Sequence, residues 1–260
     1  NLTVSGLNKT LVSNVICVIP FIFGFLFPLL FIINNVISTY NNIDFSDLFL
    51  LSKNTILVSL LTAVSVIMVA FLVEFVGKIS KGKTYYYISQ LISLGYALPG
   101  AVIGMGLILL FTKINSFILE TSLIGSLFVL IYAYVIRFMA VGKSPIRSSF
   151  ERHPESYDET AKNLGAGTFK LFQKLHFPIN KFALMVAFIV TFIDVMKELP
   201  ITLILRPFNF DTLATQTYEY AIEEMIPKSS VYSLSIIVIG SILLIFLKKI
   251  VSRELYASRS

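Results

Sequence analysis

Polar residues in this chain are bunched, and between the bunches run uninterrupted apolar stretches of helical length. No charge falls between Lys9 and Asp44. The run over residues 15–37 is long enough to cross a bilayer, with Pro20 and Pro28 expected to kink it. A second run, residues 55–76, holds one charge, Glu74, near its end. The third, residues 88–111, contains Gly95, Pro99, Gly100, Gly104 and Gly106. The fourth covers residues 123–136 and reaches toward Val141, the fifth residues 182–195, and the sixth residues 231–247, closed by Lys248 and Lys249. A helical span needs roughly 20 apolar residues, whereas barrel strands alternate over segments of about ten. The pattern therefore predicts an all-α polytopic membrane protein with six transmembrane helices, forming one domain over residues 1–260.

Composition agrees. Of the 260 residues, 56% are hydrophobic and 14% charged, with a mean hydropathy of +0.82. Soluble domains run at about 45–50% apolar and about a quarter charged, so a disordered chain, a disulfide scaffold and an ordinary soluble enzyme are excluded. Cys17 is the single cysteine, and His153 and His176 are the two histidines. No Cys/His cluster exists to hold zinc or an iron–sulfur centre, and no metal site is expected.

The net charge of +6 raises nucleic acid as a partner until the charges are placed. With both termini cytoplasmic, 16 of the 21 basic residues fall on the inner side: Lys9, the cluster Lys78, Lys81 and Lys83, eight from Arg137 to Lys181, and four from Lys248 to Arg259. Five remain outside: Lys53, Lys113, Lys197, Arg206 and Lys228. Basic residues concentrate in cytoplasmic loops, which sets the orientation. Charges spread over alternate loops make no nucleic-acid patch. The chain begins at Asn1 and not Met, so a processed start or a piece of a longer chain is expected. The first apolar stretch is too long for a signal peptide.

The cytoplasmic loop over residues 142–181 is too long for a passive connector. His153 or a neighbour is expected to cap a helix with Pro154 at its first position. Glu155, Asp158 and Glu159 favour its positive end, and Gly165 is expected to close it in a left-handed conformation. Thr168 would cap a second helix that Pro178 stops. Leu164, Phe169, Phe172 and Leu175 would be apolar knobs within a rim of Glu155, Asp158, Lys162, Lys170 and Lys174, the anatomy of a protein interface. An amphipathic helix lying on lipid is the alternative, but such helices are strongly basic, and Asp158 and Glu159 sit centrally here.

Glu159-Thr160-Ala161, three residues, Gly165, nine residues, then Leu175-His176-Phe177-Pro178 resembles the EAA motif of ATP-binding-cassette (ABC) importer permeases, Glu-Ala-Ala, three residues, Gly, nine residues, Ile-x-Leu-Pro. Thr160, Leu175 and Phe177 depart from it. The resemblance implies a type I importer permease (MetI-like) fold, in which this loop docks coupling helices on an ATPase subunit. Asp158, Glu159, Ala161, Gly165, Leu175 and Pro178 are the residues it places in that loop. A second stretch, Asp194-Val195-Met196-Lys197-Glu198-Leu199-Pro200 with Thr202, Leu205-Arg206-Pro207 and Thr212-Leu213-Ala214, is similar to the ferric-iron branch of these permeases. So are Gly95 to Gly100 and Arg137-Phe138-Met139-Ala140-Val141, in order over about residues 90–225. Members of that branch carry two six-span halves in one polypeptide, which makes this chain one half, the C-terminal one. Relatives with similar motifs move thiamine, polyamines or phosphonates.

The resemblance implies a chain that binds no cofactor and is not an enzyme. ATP and Mg are expected on partner ABC ATPase subunits, because the chain has no phosphate-binding P-loop. The further partners implied are a periplasmic or extracellular substrate-binding protein, a second six-span half and the lipid of the bacterial inner membrane. An ATP-independent carrier or channel, which would need charges at mid-span, and a non-transporting scaffold are rival readings. Asp194, Lys197, Glu198, Pro200 and Arg206 are candidates for a pathway or gate, since ionisable residues at membrane depth are costly. Local pairing of Asp194 with Lys197, three residues apart, is the plain alternative. Arg206 and the acids at 219–224 either dock the binding protein or form a solvated loop. Glu74 and Lys78 are spaced for an i,i+4 pair. Gly100 and Gly104 make a small-xxx-small packing face, and Tyr85 to Tyr87 suit an interfacial belt.

Overall fold

The computed structural model describes residues 7–80, 82–118 and 123–257. Lys81 and Arg259, counted above in the charge bias, lie outside them, as do the side chains of Lys9, Lys83 and Arg253. Among the described residues there are helices and no strands. In order they are α1 (Leu7–Phe21), α2 (Phe27–Thr39), α3 (Phe45–Ser80), α4 (Lys83–Ser93), α5 (Gly100–Ile118), α6 (Leu127–Arg152), α7 (Ser156–Asn163), α8 (Thr168–Lys170), α9 (Phe177–Met196), α10 (Pro200–Leu205), α11 (Leu213–Ile222) and α12 (Ile226–Ala257).

Five segments are long and apolar enough to cross a bilayer, and a bent pair makes a sixth. The expectation of six spans holds, but the third is not one helix. Tyr85–Ala97 and Gly100–Ile114 meet at 110°. Pro99 lacks an N–H and disfavours helix in the residue before it, and Leu98 is extended there (ψ 139).

Two other prolines do not break their spans. Pro28 and Pro178 each stand second in a helix, after Phe27 and Phe177, and each is preceded by a turn of π-helix, Ile22–Leu26 and Leu171–His176. A π turn widens the helix by one residue and displaces the carbonyl against which a proline ring would clash. Pro178 was expected to stop a short helix before the fifth span. Instead helix runs without interruption from Thr168 to Met196.

The core is a three-helix contact of α3, α6 and α9. Val66, Ala133, Ile146 and Ala187 are fully buried in it. A Cβ on Gly142 would clash with Val66 and stand 3.1 Å from the Thr191 hydroxyl, so glycine sets how closely the helices approach. α5 packs on α10, and the expected glycine face is what it uses. Gly104 faces Ile204, and Gly100 faces Ile201 and Glu198. α2 and α11 pack mainly on α12. From Asn14 to Ser38 no residue is buried.

Loops gather at two ends. At one, Asp47 at the start of α3 accepts from the Tyr232 hydroxyl (2.7 Å), and Asn54 donates to the Asp211 carbonyl (3.0 Å). At the other, Lys78 at the end of α3 donates to the His153 carbonyl (2.8 Å), tying the α3–α4 connection to the segment after α6. The α3–α4 and α6–α9 connections, both assigned to the cytoplasmic side by the charge bias, therefore share an end.

Candidate functional site

The segment between α6 and α9 is built on α7. Helix α6 runs on to Arg152 and α7 begins at Ser156 with Glu155 before it. The start thus falls two residues beyond the expected Pro154, and His153 is not its cap. The end is as expected. Gly165 has φ +79, its N–H donates to Lys162 (2.9 Å), and the Ala166 N–H donates to the Ala161 carbonyl (3.0 Å). These are the two bonds of a Schellman stop, which requires the left-handed residue. Gly167, not Thr168, precedes α8.

α7 is held against the bundle at two points. Ala161 and Ala166 pack on the main core. Asp158 Oδ1 lies 2.7 Å from His176 Nε2. His176 is buried between Phe150, stacked at 5.2 Å, and Phe75, edge-on at 5.3 Å. The remaining surface divides. Leu164 (83% exposed) and Phe169 (69%) project with Glu159 and Lys162, whereas Phe172 and Leu175, expected beside them as knobs, pack into the core. Phe172 contacts the Phe71 and Phe75 rings at 5.0 Å. The projecting surface is thus smaller, with two apolar residues on either side of Gly165. Beside it, burial and the positive charges of Lys78, His176 and Arg152 hold the His153 imidazole below its usual pKa.

The residues singled out as pathway candidates do not form one cluster. Asp194 and Lys197 pair locally at 2.8 Å, with the lysine mostly exposed. Arg206 is ion-paired to Asp211 and, at 2.7 Å, to Glu219, so it staples the α10–α11 connection to α11. Pro200 opens α10. Glu198 differs. It is 8% exposed, and its Oε2 lies 3.2 Å from Arg137 Nε. Its Oε1 accepts from the Ile201 N–H at 3.3 Å, and its carbonyl accepts from the Thr202 hydroxyl at 2.6 Å. That hydroxyl in turn accepts from buried Tyr134. Arg137 Nη1 donates to the Leu98 carbonyl at 2.6 Å. The break between α9 and α10 and the break between α4 and α5 therefore meet at one ion pair.

Sequence reading missed three of these partners. Arg137 stood within a motif and, like Lys143, among the charges counted in the inner loop, whereas both lie inside α6, and His176 had no role beyond its place in the EAA-like motif. Lys143 is 4% exposed inside α6 and spends its ammonium donors on the Ser89 carbonyl and the Ser89 and Ser93 hydroxyls. A basic residue inside an apolar run is the one signal that marks both Arg137 and Lys143. Glu74 does not pair with Lys78. It is buried and accepts from the Tyr85 hydroxyl at 2.7 Å. Among the described residues no three of His, Cys, Asp or Glu come together as a metal site.

Five apolar helices of crossing length and a sixth segment broken at 110° make this a helical membrane protein. The family is specific. Residues 75–255 match the model of the binding-protein-dependent transport system inner membrane component, and the chain belongs to that family. Its backbone is similar to those of solved ABC importers. One neighbour belongs to a bacterial alginate ABC transporter in complex with an alginate-pentasaccharide-bound periplasmic protein (TM-score 0.70, 14% identity, 94% of each chain). A second bacterial importer, of the acidic polysaccharide alginate, gives TM-score 0.73 at 10% identity, covering 95% of this chain and 96% of that one. The methionine ABC transporter in an inward-facing conformation gives 0.62 at 14%, covering 81% and 99%. In sequence the chain is 26% identical over 206 residues to an Fe(3+)-transport system permease protein of Haemophilus influenzae, FbpB 2. That match covers 79% of this chain and 40% of the relative, so the chain spans about two-fifths of the curated protein it resembles.

Proposed function

We propose that this chain is the membrane-spanning half of an ATP-driven, binding-protein-dependent importer for ferric iron in a bacterial inner membrane, with both termini cytoplasmic. The observation that carries the reading is the α7–Gly165–α8 unit, an EAA-like sequence whose Leu164 and Phe169 project while Asp158 and Ala161 anchor it to the core. An ABC ATPase would receive that projecting surface. ATP and Mg bind on the ATPase, and closure of two such subunits moves α7. The anchored face passes the movement to α3, α6 and α9. The membrane part contributes two conformations and nucleotide biases them. A second six-span half, in keeping with the longer relative, completes the pathway, and a periplasmic binding protein delivers the cargo.

Iron as cargo rests on the ferric-permease relative and on motifs that run through both helix breaks. No cluster of oxygen or imidazole ligands is needed in this chain if the ion is handed over by the binding protein. Coupling is tested by Gly165→Asp. Forcing a β-substituted residue to φ +79 costs about 1 kcal/mol and places an acid on the docking surface. ATPase co-purification and uptake are expected to fall together, and retention of both would refute the docking role. For the cargo, ATPase activity of the reconstituted complex is expected to rise with binding protein loaded with ferric iron. Stimulation by thiamine, a polyamine or a phosphonate instead would reassign the substrate.

A further inference from the structure

We propose that Arg137 and Glu198 are positioning residues that clamp the two broken helices, so that α5 and α10 move as one body during the cycle. The proposal rests on the transport reading above for its purpose, though not for its geometry. A helix break frees backbone N–H and C=O groups that then need partners outside the helix. Here each member of the pair takes one of them. Arg137 Nη1 binds the Leu98 carbonyl, just before Pro99 at the first break. Glu198 Oε1 takes the Ile201 N–H, one of the orphan donors at the start of α10, at the second. The opposite charges then face each other at 3.2 Å. The ion pair thus converts two separate backbone defects into one joint.

Three further observations fit a joint better than a cargo ligand. Both Glu198 carboxylate oxygens already have a protein partner, Arg137 Nε for one and the Ile201 N–H for the other. A Cβ on Gly100 would stand 2.8 Å from Glu198 Oε1, so a larger first residue of α5 would push the carboxylate out of its present place. The Tyr134–Thr202–Glu198 chain fixes the backbone on the other side of the same carboxylate's residue. As a device for stability alone the pair would be a poor choice, because buried ion pairs are often matched or exceeded by apolar residues of the same volume. Its use is to add to the packing of α5 on α10 one polar contact that can be made or lost.

The test is a cross-link between α5 and α10 in the full permease assembled with its ATPase. Gly104→Cys and Ile204→Cys are introduced with Cys17→Ser. A Cβ on Gly104 lies 3.2 Å from the Ile204 Cβ, and replacing the isoleucine removes the methyls that would crowd it. With the ion pair intact, oxidation should join the two cysteines to the same extent with and without trapped nucleotide. Arg137→Gln or Glu198→Gln should lower the yield about tenfold, the scale of losing one charge-assisted contact. The exchanged pair R137E/E198R should recover most of it. Uptake per ATP hydrolysed should fall in the single variants and recover in the exchange. Unchanged cross-linking in the single variants, or an exchange no better than they are, overturns the clamp, and so does an exchange that fails to restore assembly where the single variants fail to assemble. If cross-linking follows the expectation while even the intact protein moves no iron, the cargo reading falls and the clamp stands.

Discussion

Two helices of this protein end in the same backbone motif with different residues at its critical position. Gly165 closes α7 at φ +79, and Glu224 closes α11 at φ +60, with Met225 N–H bonded to Tyr220 and Glu224 N–H to Ala221. Glutamate there bears a steric cost that glycine avoids. Glu224→Gly is expected to stabilise the protein by about 0.5–1 kcal/mol, part of which glycine's larger unfolded-state entropy offsets. Scanning fluorimetry should show a higher melting temperature. The depressed pKa of His153 gives a second residue-scale expectation. Its ring binds a proton less readily in the fold than in the unfolded chain. Stability contributed this way is complete above the unfolded value of about 6.5 and is lost as pH falls below it. Between pH 7.5 and 5, His153→Gln should lose less stability than the unaltered protein. Local rules were legible at this scale. Gly165 was readable as a helix stop because a Schellman turn is decided by neighbours in sequence. The partners of Asp158 and Glu198 were not, since they lie 18 and 61 positions away and only packing brings them close.

At the scale of elements, the spans were readable and their discontinuities only partly so. Pro99 breaks its span, while Pro28 and Pro178 follow π turns and do not, and Pro20 and Pro145 sit inside α1 and α6 without ending them. Nothing in a hydropathy pattern announces a π turn. Helix α4 is a further case. It reads as the first half of one span but is a separate element fixed by side chains. Tyr85 packs its ring on Gly77 and donates to Glu74, and Lys143 holds Ser89 and Ser93. Lys143→Met should free α4 without weakening the bundle, because an apolar residue replaces a costly buried ammonium. Hydrogen exchange is expected to speed up about tenfold in α4, the loss of about 1.4 kcal/mol of local protection, with the melting temperature of the whole little changed. Equal exchange in the two proteins would show that Lys143 does not hold α4.

For the whole molecule, the bundle divides into a packed part and an arm. α3, α6 and α9 surround the core, while the stretch from Asn14 to Ser38 buries no residue and presents Phe23, Phe27 and Phe31 outward. Its contacts reach the rest mainly through α2 on α12. Alanine at Val15, Ile16, Val18 and Ile19, all exposed, should therefore leave the thermal unfolding of the protein within about 0.5 kcal/mol, the range of changes that touch no buried group. A larger loss would mean that these four side chains pack where the structure shows them exposed. The division also explains why composition alone announced a membrane protein so strongly. Much of the apolar surface of this subunit faces outward, as a span in contact with lipid or with another span must.

The Phe-Pro pairs at Phe27-Pro28 and Phe177-Pro178 have a consequence for how such chains diverge. An added residue inside an α-helix turns everything beyond it by about 100°, which would swing a span's buried face into lipid. A helix that already holds a π turn can return to α by shedding one residue, and a straight one can absorb an insertion by forming it. Residues 22–26 and 171–176 are the places where the length of this protein can drift by one without re-aiming a span. Homologous chains are expected to carry their single-residue gaps there, and to lack the proline wherever the π turn has been lost.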